Sequence, residues 1–109
     1  MKNVLFVCSQ NRLRSPTAER IFHGHPKMLV ESAGIDSDSE NPLTPELLDW
    51  AEFIFVMEES HREKLLRRFR ANVNDQQIVC LGIRDKYDFM APALIRILRA
   101  RLRPFLRTW

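Results

Sequence analysis

Residues 3–8, NVLFVC, are apolar at five consecutive positions and show no alternation of polar with apolar side chains. A strand on a half-exposed sheet would alternate, so this one is expected to be buried on both faces, as in parallel sheets covered by helices. The rest of the chain repeats the pattern three times. Residues 27–34 (KMLVESAG), 53–57 (FIFVM) and 77–81 (QIVCL) read as further strands, and a helical stretch follows each. Pro16 suits the first position of a helix with Ser15 as its cap, and Ala18, Ile21 and Phe22 share one face. Thr44 and Pro45 open a short helix that turns Leu47, Leu48 and Ala51 inward. Ser60 and Glu63 are spaced as a capping box for a helix with the stripe Leu65, Leu66 and Phe69. The last helix is expected to begin near Pro92, with Leu94, Ile95, Leu98 and Leu102 at helical spacing. The order βαβαβαβα predicts an α/β three-layer sandwich with a four-stranded parallel sheet and right-handed crossovers. Ligands bind such sheets at the carboxyl ends of the strands.

The chain has 109 residues, 45% hydrophobic and 28% charged, which fits one domain over 1–109. No apolar run approaches the roughly 18 residues of a membrane span. The first apolar segment is shorter than the roughly 7–15-residue core of an export signal, so a cytoplasmic protein is expected. Cys8 and Cys80 are far apart, and no Cys/His cluster suggests zinc. No metal and no cofactor are expected. The net charge of +3 is unevenly spread: from Glu31 to Glu59 there are nine acidic residues and no lysine or arginine. Arg62, Lys64, Arg67, Arg68 and Arg70 crowd one segment, and five arginines lie between Arg96 and Arg107. Without interleaved aromatics these read as solvated helix faces rather than a nucleic-acid patch.

The chemistry is concentrated in CSQNRLRS, residues 8–15. A loop from a strand end to a helix N-terminus can turn several backbone N–H groups toward one point and so make an anion site. Ser9, Gln10, Asn11, Arg12 and Leu13 would form that phosphate-binding loop, and Arg14 would grip two oxygens of a phosphate-like group. A cysteine facing such a cradle is expected to stand as the thiolate, with the Ser15 hydroxyl donating to it. This is a nucleophile suited to attack on bound phosphate. A packed strand-end cysteine is the plainer reading of Cys8, and Arg14 and Ser15 weigh against it. For Cys80, inside an apolar strand, the packed reading is preferred.

VLFVCSQNRLRSPTAERIF, ESAG and FIFVME resemble, in order, landmarks of the low-molecular-weight protein tyrosine phosphatases, and IRDKYDF (83–89) resembles that family's late Asp-Pro-Tyr segment. The resemblance implies phosphotyrosine or aryl phosphate hydrolysis through a cysteinyl phosphate, with a phosphorylated protein or a small aryl phosphate as substrate. It implies Cys8 as nucleophile, Arg14 as clamp, Ser15 as support for the thiolate, Asn11 as keeper of the loop backbone and Asp85 as general acid. Asp88 is the alternative acid, and Tyr87 would either flank a substrate ring or cover the core edge. Leu13 replaces the family's second cysteine, Lys86 the proline after the acid, Gln10 a glycine and Arg12 a small or apolar residue. Between Gly34 and Phe53 the chain is shorter than the family, which implies an open pocket wall. The acidic residues Asp36, Asp38 and Glu40 are expected on the site's side of the sheet, disfavouring highly anionic ligands. Two other readings stand beside the phosphatase: a non-catalytic phosphate- or phosphopeptide-binding module, and a thiol-dependent arsenate reductase.

Overall fold

The computed structural model describes residues 1–73 and 76–109. Strands β1 (Lys2–Cys8), β2 (Met28–Gly34), β3 (Phe53–Val56) and β4 (Gln77–Cys80) form one parallel sheet in the order β2-β1-β3-β4. Helices α1 (Arg14–Phe22), α2 (Pro45–Trp50), α3 (Glu59–Phe69) and α4 (Pro92–Thr108) connect or follow the strands. The unbroken apolar run therefore occupies an inner strand, hydrogen-bonded on both edges, and Val4 to Cys8 are all buried.

The period-two geometry of β1 divides its side chains between two cores. Val4, Phe6 and Cys8 face a layer with Ala18 and Phe22 of α1 and Leu94, Leu98 and Leu102 of α4. Leu5 and Val7 face Leu48 of α2 and Leu65 of α3. The result is the expected sandwich, helices on each side of the sheet. Phe6 stacks on Phe22 and Phe55 at centroid distances of 5.9 and 5.5 Å, which fixes α1 and β3 against the strand that ends in Cys8.

Two helix starts differ from the sequence reading. Helix α1 begins at Arg14, with Leu13 before it and no side-chain cap. Ser15 lies inside the first turn because its hydroxyl is engaged elsewhere, as shown below. Pro16 falls at the third helical position, where a missing N–H still costs no intrahelical bond. At α3 the capping box is Glu58 with His61, not Ser60 with Glu63: the Glu58 carboxylate accepts from the His61 backbone, and the His61 ring accepts from the Glu58 N–H. Thr44 caps α2 as expected, its hydroxyl accepting from the Leu47 N–H at 3.2 Å.

Two burial expectations also change. Cys80 is half-buried because β4 is an edge strand. The basic run of α3 is more than a solvated face. Arg62 donates to the Ile78 carbonyl at 3.0 Å, Lys64 pairs with Asp36 at 3.3 Å, and Arg68 donates to the Ile35 carbonyl. These contacts lace the helix to β4 and to the loop after β2. Among the described residues no helix is long and apolar enough to cross a membrane.

Candidate active site

Strand β1 ends at Cys8, and residues 9–13 wind from it to α1. Asn11 turns the chain with φ of 56°, a left-handed conformation that asparagine accepts more readily than most residues. Among the described residues, none of the backbone N–H groups from Ser9 to Ser15 has a protein acceptor. Seven consecutive unpaired donors in a turn at the start of a helix form an anion-binding nest. Cys8, Ser9, Gln10, Arg12, Leu13, Arg14 and Asp85 line a cleft of about 210 Å³ there, which is smaller than a typical drug-sized pocket of roughly 300–1,000 Å³.

The loop is held from behind by hydrogen bonds whose donor directions can be worked out. Ser32 donates to Glu19, so its oxygen is free to accept from the Asn11 amide at 2.9 Å. The other Asn11 proton goes to the Ser15 hydroxyl, also at 2.9 Å. The Ser15 proton then points to the Cys8 sulfur at 2.9 Å in preference to the Ala33 carbonyl at 3.5 Å. A chain running from a carboxylate to a sulfur thus aims one hydroxyl donor at Cys8. Cys8 itself is 3% exposed.

Arg14 is buried, yet only part of its guanidinium is used by the protein. Its Nη1 donates to Glu58 at 2.5 Å and to the Ile83 carbonyl at 2.7 Å. Its Nε lies 3.8 Å from an Asp85 carboxylate oxygen, a long ion pair at the cleft mouth. The Nε–Nη2 edge is left as a two-pronged fork for an anion.

The loop after β2 closes one side. Its backbone donates to the carbonyls of Cys8 and Ser9 from Ile35 at 2.8 Å and Asp36 at 3.0 Å. Gly34 permits this approach, since a Cβ there would lie 2.8 Å from the Ser9 oxygen and 2.5 Å from Ser39 Cβ. The acidic residues are largely engaged. Gln10 donates to Asp36 at 2.9 Å and Asp38 at 3.3 Å, and Arg12 pairs with Glu40 at 3.4 Å on the exposed rim. The structure gathers Cys8, Ser9, Gln10, Arg12, Leu13, Arg14 and Asp85 at the cleft, and sets Asn11 and Ser15 behind it. Tyr87 is elsewhere: half-buried against the α4-side core, with the Lys86 ammonium 5.4 Å over its ring. Asp88 is exposed and absent from the cleft wall.

Glu58 and His61 were not among the expected site residues. His61 is 2% exposed, and its Nε2 lies 2.9 Å from the Ser9 hydroxyl. Burial foremost, then the charge of Arg14, holds its pKa below the ordinary histidine range. The unfolded chain, with its histidine titrating near about 6.5, therefore takes up the proton first. The stability this neutral side chain provides is whole above about pH 6.5 and is lost as pH falls through the lower folded value. Melting curves of wild type and His61→Asn between about pH 7.5 and 5 check this, the wild-type advantage shrinking on acidification.

Residues 3–81 match the family model of the low molecular weight phosphotyrosine protein phosphatases. Among solved structures, the chain is similar to Vibrio vulnificus Wzb in complex with benzylphosphonate, at 21% identity and a TM-score of 0.79 over 99% of each chain. It is similar to the low molecular weight protein tyrosine phosphatase of T. tengcongensis, at 21% identity and a TM-score of 0.77 over all of both chains. The YwlE arginine phosphatase of Geobacillus stearothermophilus shares 24% identity and a TM-score of 0.74, covering 99% of this chain and 94% of that one. No curated protein sequence gives a match.

Proposed function

Because the chain belongs to the low molecular weight phosphotyrosine protein phosphatase family, whose members are cysteine-based phosphatases, we propose that it hydrolyses phosphotyrosine or another aryl phosphate through a phosphorylated Cys8. The observation that carries this reading is the set of donors gathered with Cys8 at one cleft: the amides of Ser9 to Ser15, which have no protein acceptor among the described residues, and the buried Arg14 guanidinium on the cleft wall. Such donors stabilise a phosphoryl group whose charge spreads over its outer oxygens, and they need no rearrangement at the moment of reaction.

In the first step the Cys8 sulfur bonds to phosphorus and the bond from phosphorus to the aryl oxygen breaks. Its electron pair stays on that oxygen, which takes a proton from the Asp85 carboxyl and departs as a phenol. In the second step a water gives a proton to the Asp85 carboxylate and its oxygen bonds to phosphorus. The S–P bond breaks, phosphate leaves, and the thiolate is restored under the Ser15 hydroxyl. Asp85 is suited to this work because it stands at the mouth of the cleft with its side chain 63% exposed, within reach of a leaving group and of solvent. The residues of the whole chain act together, since Asp85 and the Ile83 carbonyl come from beyond β4. The substrate is a phosphorylated protein or a small aryl phosphate, and a reducing cytoplasm suits a thiol nucleophile.

Asp85→Asn keeps the shape of the cleft mouth and removes the proton donor, so kcat for p-nitrophenyl phosphate falls by about 10²–10⁴-fold. The loss shrinks for aryl phosphates with more acidic phenols, which leave without protonation. Full activity in Asp85→Asn would move the acid role to Asp88. Binding of inorganic phosphate without turnover in the wild type would make the loop a binding module.

A further inference from the structure

The tautomer of His61 is fixed by its surroundings. The Glu58 N–H donates to Nδ1 at 3.0 Å, so Nδ1 carries no proton and the neutral ring must carry it on Nε2. Nε2 faces the Ser9 hydroxyl at 2.9 Å, which makes His61 the donor and the Ser9 oxygen the acceptor. The Ser9 proton is thereby turned away from His61 and needs another acceptor. Ser9 is half-buried on the wall of the cleft beside Cys8, and its side chain makes no other hydrogen bond among the described residues. The acceptor that the cleft is built to hold is an oxygen of a phosphoryl group.

We propose that His61 is a positioning residue that aims the Ser9 hydroxyl into the cleft as an additional hydrogen-bond donor to the phosphoryl group. The inference rests on the phosphatase reading for its kinetic consequence, but the donor can also be detected through anion binding alone. The charged groups around the ring are Arg14, Glu58, Lys64 and Asp36, two of each sign. Burial and the nearby Arg14 charge favour the neutral form that this orientation requires. The same helix end also holds Glu58, which takes Arg14 at 2.5 Å. Two members of one capping box therefore set opposite sides of the phosphate cradle, Ser9 at its start and Arg14 at its end.

The test compares wild type, Ser9→Ala, His61→Asn, His61→Gln and the Ser9→Ala/His61→Asn double variant. The asparagine oxygen can still accept the Glu58 N–H but falls short of Ser9. The glutamine amide reaches Ser9 in place of Nε2. Turnover of p-nitrophenyl phosphate and affinity for vanadate are measured, with melting temperature alongside. Ser9→Ala and His61→Asn are each expected to lose about ten-fold in kcat and in vanadate affinity, the scale of one hydrogen bond to a charged acceptor. The double variant loses no more than either single one, because both remove the same donor. His61→Gln recovers most of the loss. Unchanged kcat and vanadate affinity in Ser9→Ala overturn the proposal, as do losses that multiply in the double variant. Should the wild type bind vanadate and hydrolyse nothing, the phosphatase reading fails, and the vanadate affinities of the same variants still decide for or against the Ser9 donor.

Discussion

Cys8→Ser abolishes hydrolysis of p-nitrophenyl phosphate, a loss of about four orders of magnitude or more, on the scale seen when a nucleophile is removed. The reason lies in what the substitution keeps. Serine preserves the size of the side chain and its contact with the Ser15 hydroxyl, 2.9 Å from the sulfur. The nest of amides from Ser9 to Ser15 and the fork of Arg14 do not depend on the sulfur. The variant therefore still folds and binds inorganic phosphate, while its hydroxyl, far less acidic than a thiol, stays protonated and unreactive at neutral pH. Initial rates with vanadate as inhibitor, together with phosphate binding by calorimetry, check both halves. Turnover surviving in Cys8→Ser would take the nucleophile's role from Cys8.

Arg14→Lys costs about 10²–10³-fold in kcat, the effect of removing one preorganised donor to developing charge, and it also lowers the melting temperature. One guanidinium here has three tasks: Nη1 holds Glu58 at 2.5 Å and the Ile83 carbonyl at 2.7 Å, while the Nε–Nη2 edge, with Asp85 3.8 Å from Nε, serves the cleft. A lysine ammonium is a point donor and cannot meet all three at once. Satisfying Glu58 and the carbonyl leaves the phosphoryl oxygens without their fork, while turning to the cleft leaves the buried carbonyl unpaired, at about 1–3 kcal/mol. Kinetics and thermal melts on the same preparation separate the two losses. Near-wild-type kcat in Arg14→Lys would mean that the amides alone hold the phosphoryl group.

The frame of the protein was legible in the sequence because it rests on local rules. The unbroken run Val4–Cys8 reads as a strand buried on both faces, and of the helical stripe Leu94, Ile95, Leu98 and Leu102 all but the half-buried Ile95 lie in the core. Thr44 and Pro45 marked the start of α2 by cap chemistry that acts within four residues. The loop of Cys8 to Ser15 was legible for the same reason. What escaped were residues whose partners lie far along the chain. Glu58 and His61 sit just after β3, where the Glu-x-x-His spacing competes with an equally plausible Ser60-x-x-Glu63 box two residues later. The choice between them is made by Arg14 and Ser9, 44 and 52 positions away. Ser15 offered two local roles, a cap before Pro16 and a donor to Cys8; the second holds, its hydroxyl meeting Asn11 and the Cys8 sulfur, and α1 starts without a side-chain cap. The basic residues of α3 read as solvent-facing until the carbonyls of Ile35 and Ile78 were within reach.

The reach of Arg14 has a bearing on how this protein comes into being. During synthesis the Cys8 thiol leaves the ribosome well before the partners of Arg14, which lie 44 and 69 positions beyond it, at Glu58 and Ile83. The face of the sheet carrying Cys8 is covered by Leu94, Leu98 and Leu102, later still. A half-made chain thus displays a cysteine with no organised anion site around it, and reactivity toward phosphate arrives only when the domain has closed as a unit. Catalytic turnover would then serve as a report on the finished fold, lost on unfolding along with the sheet itself.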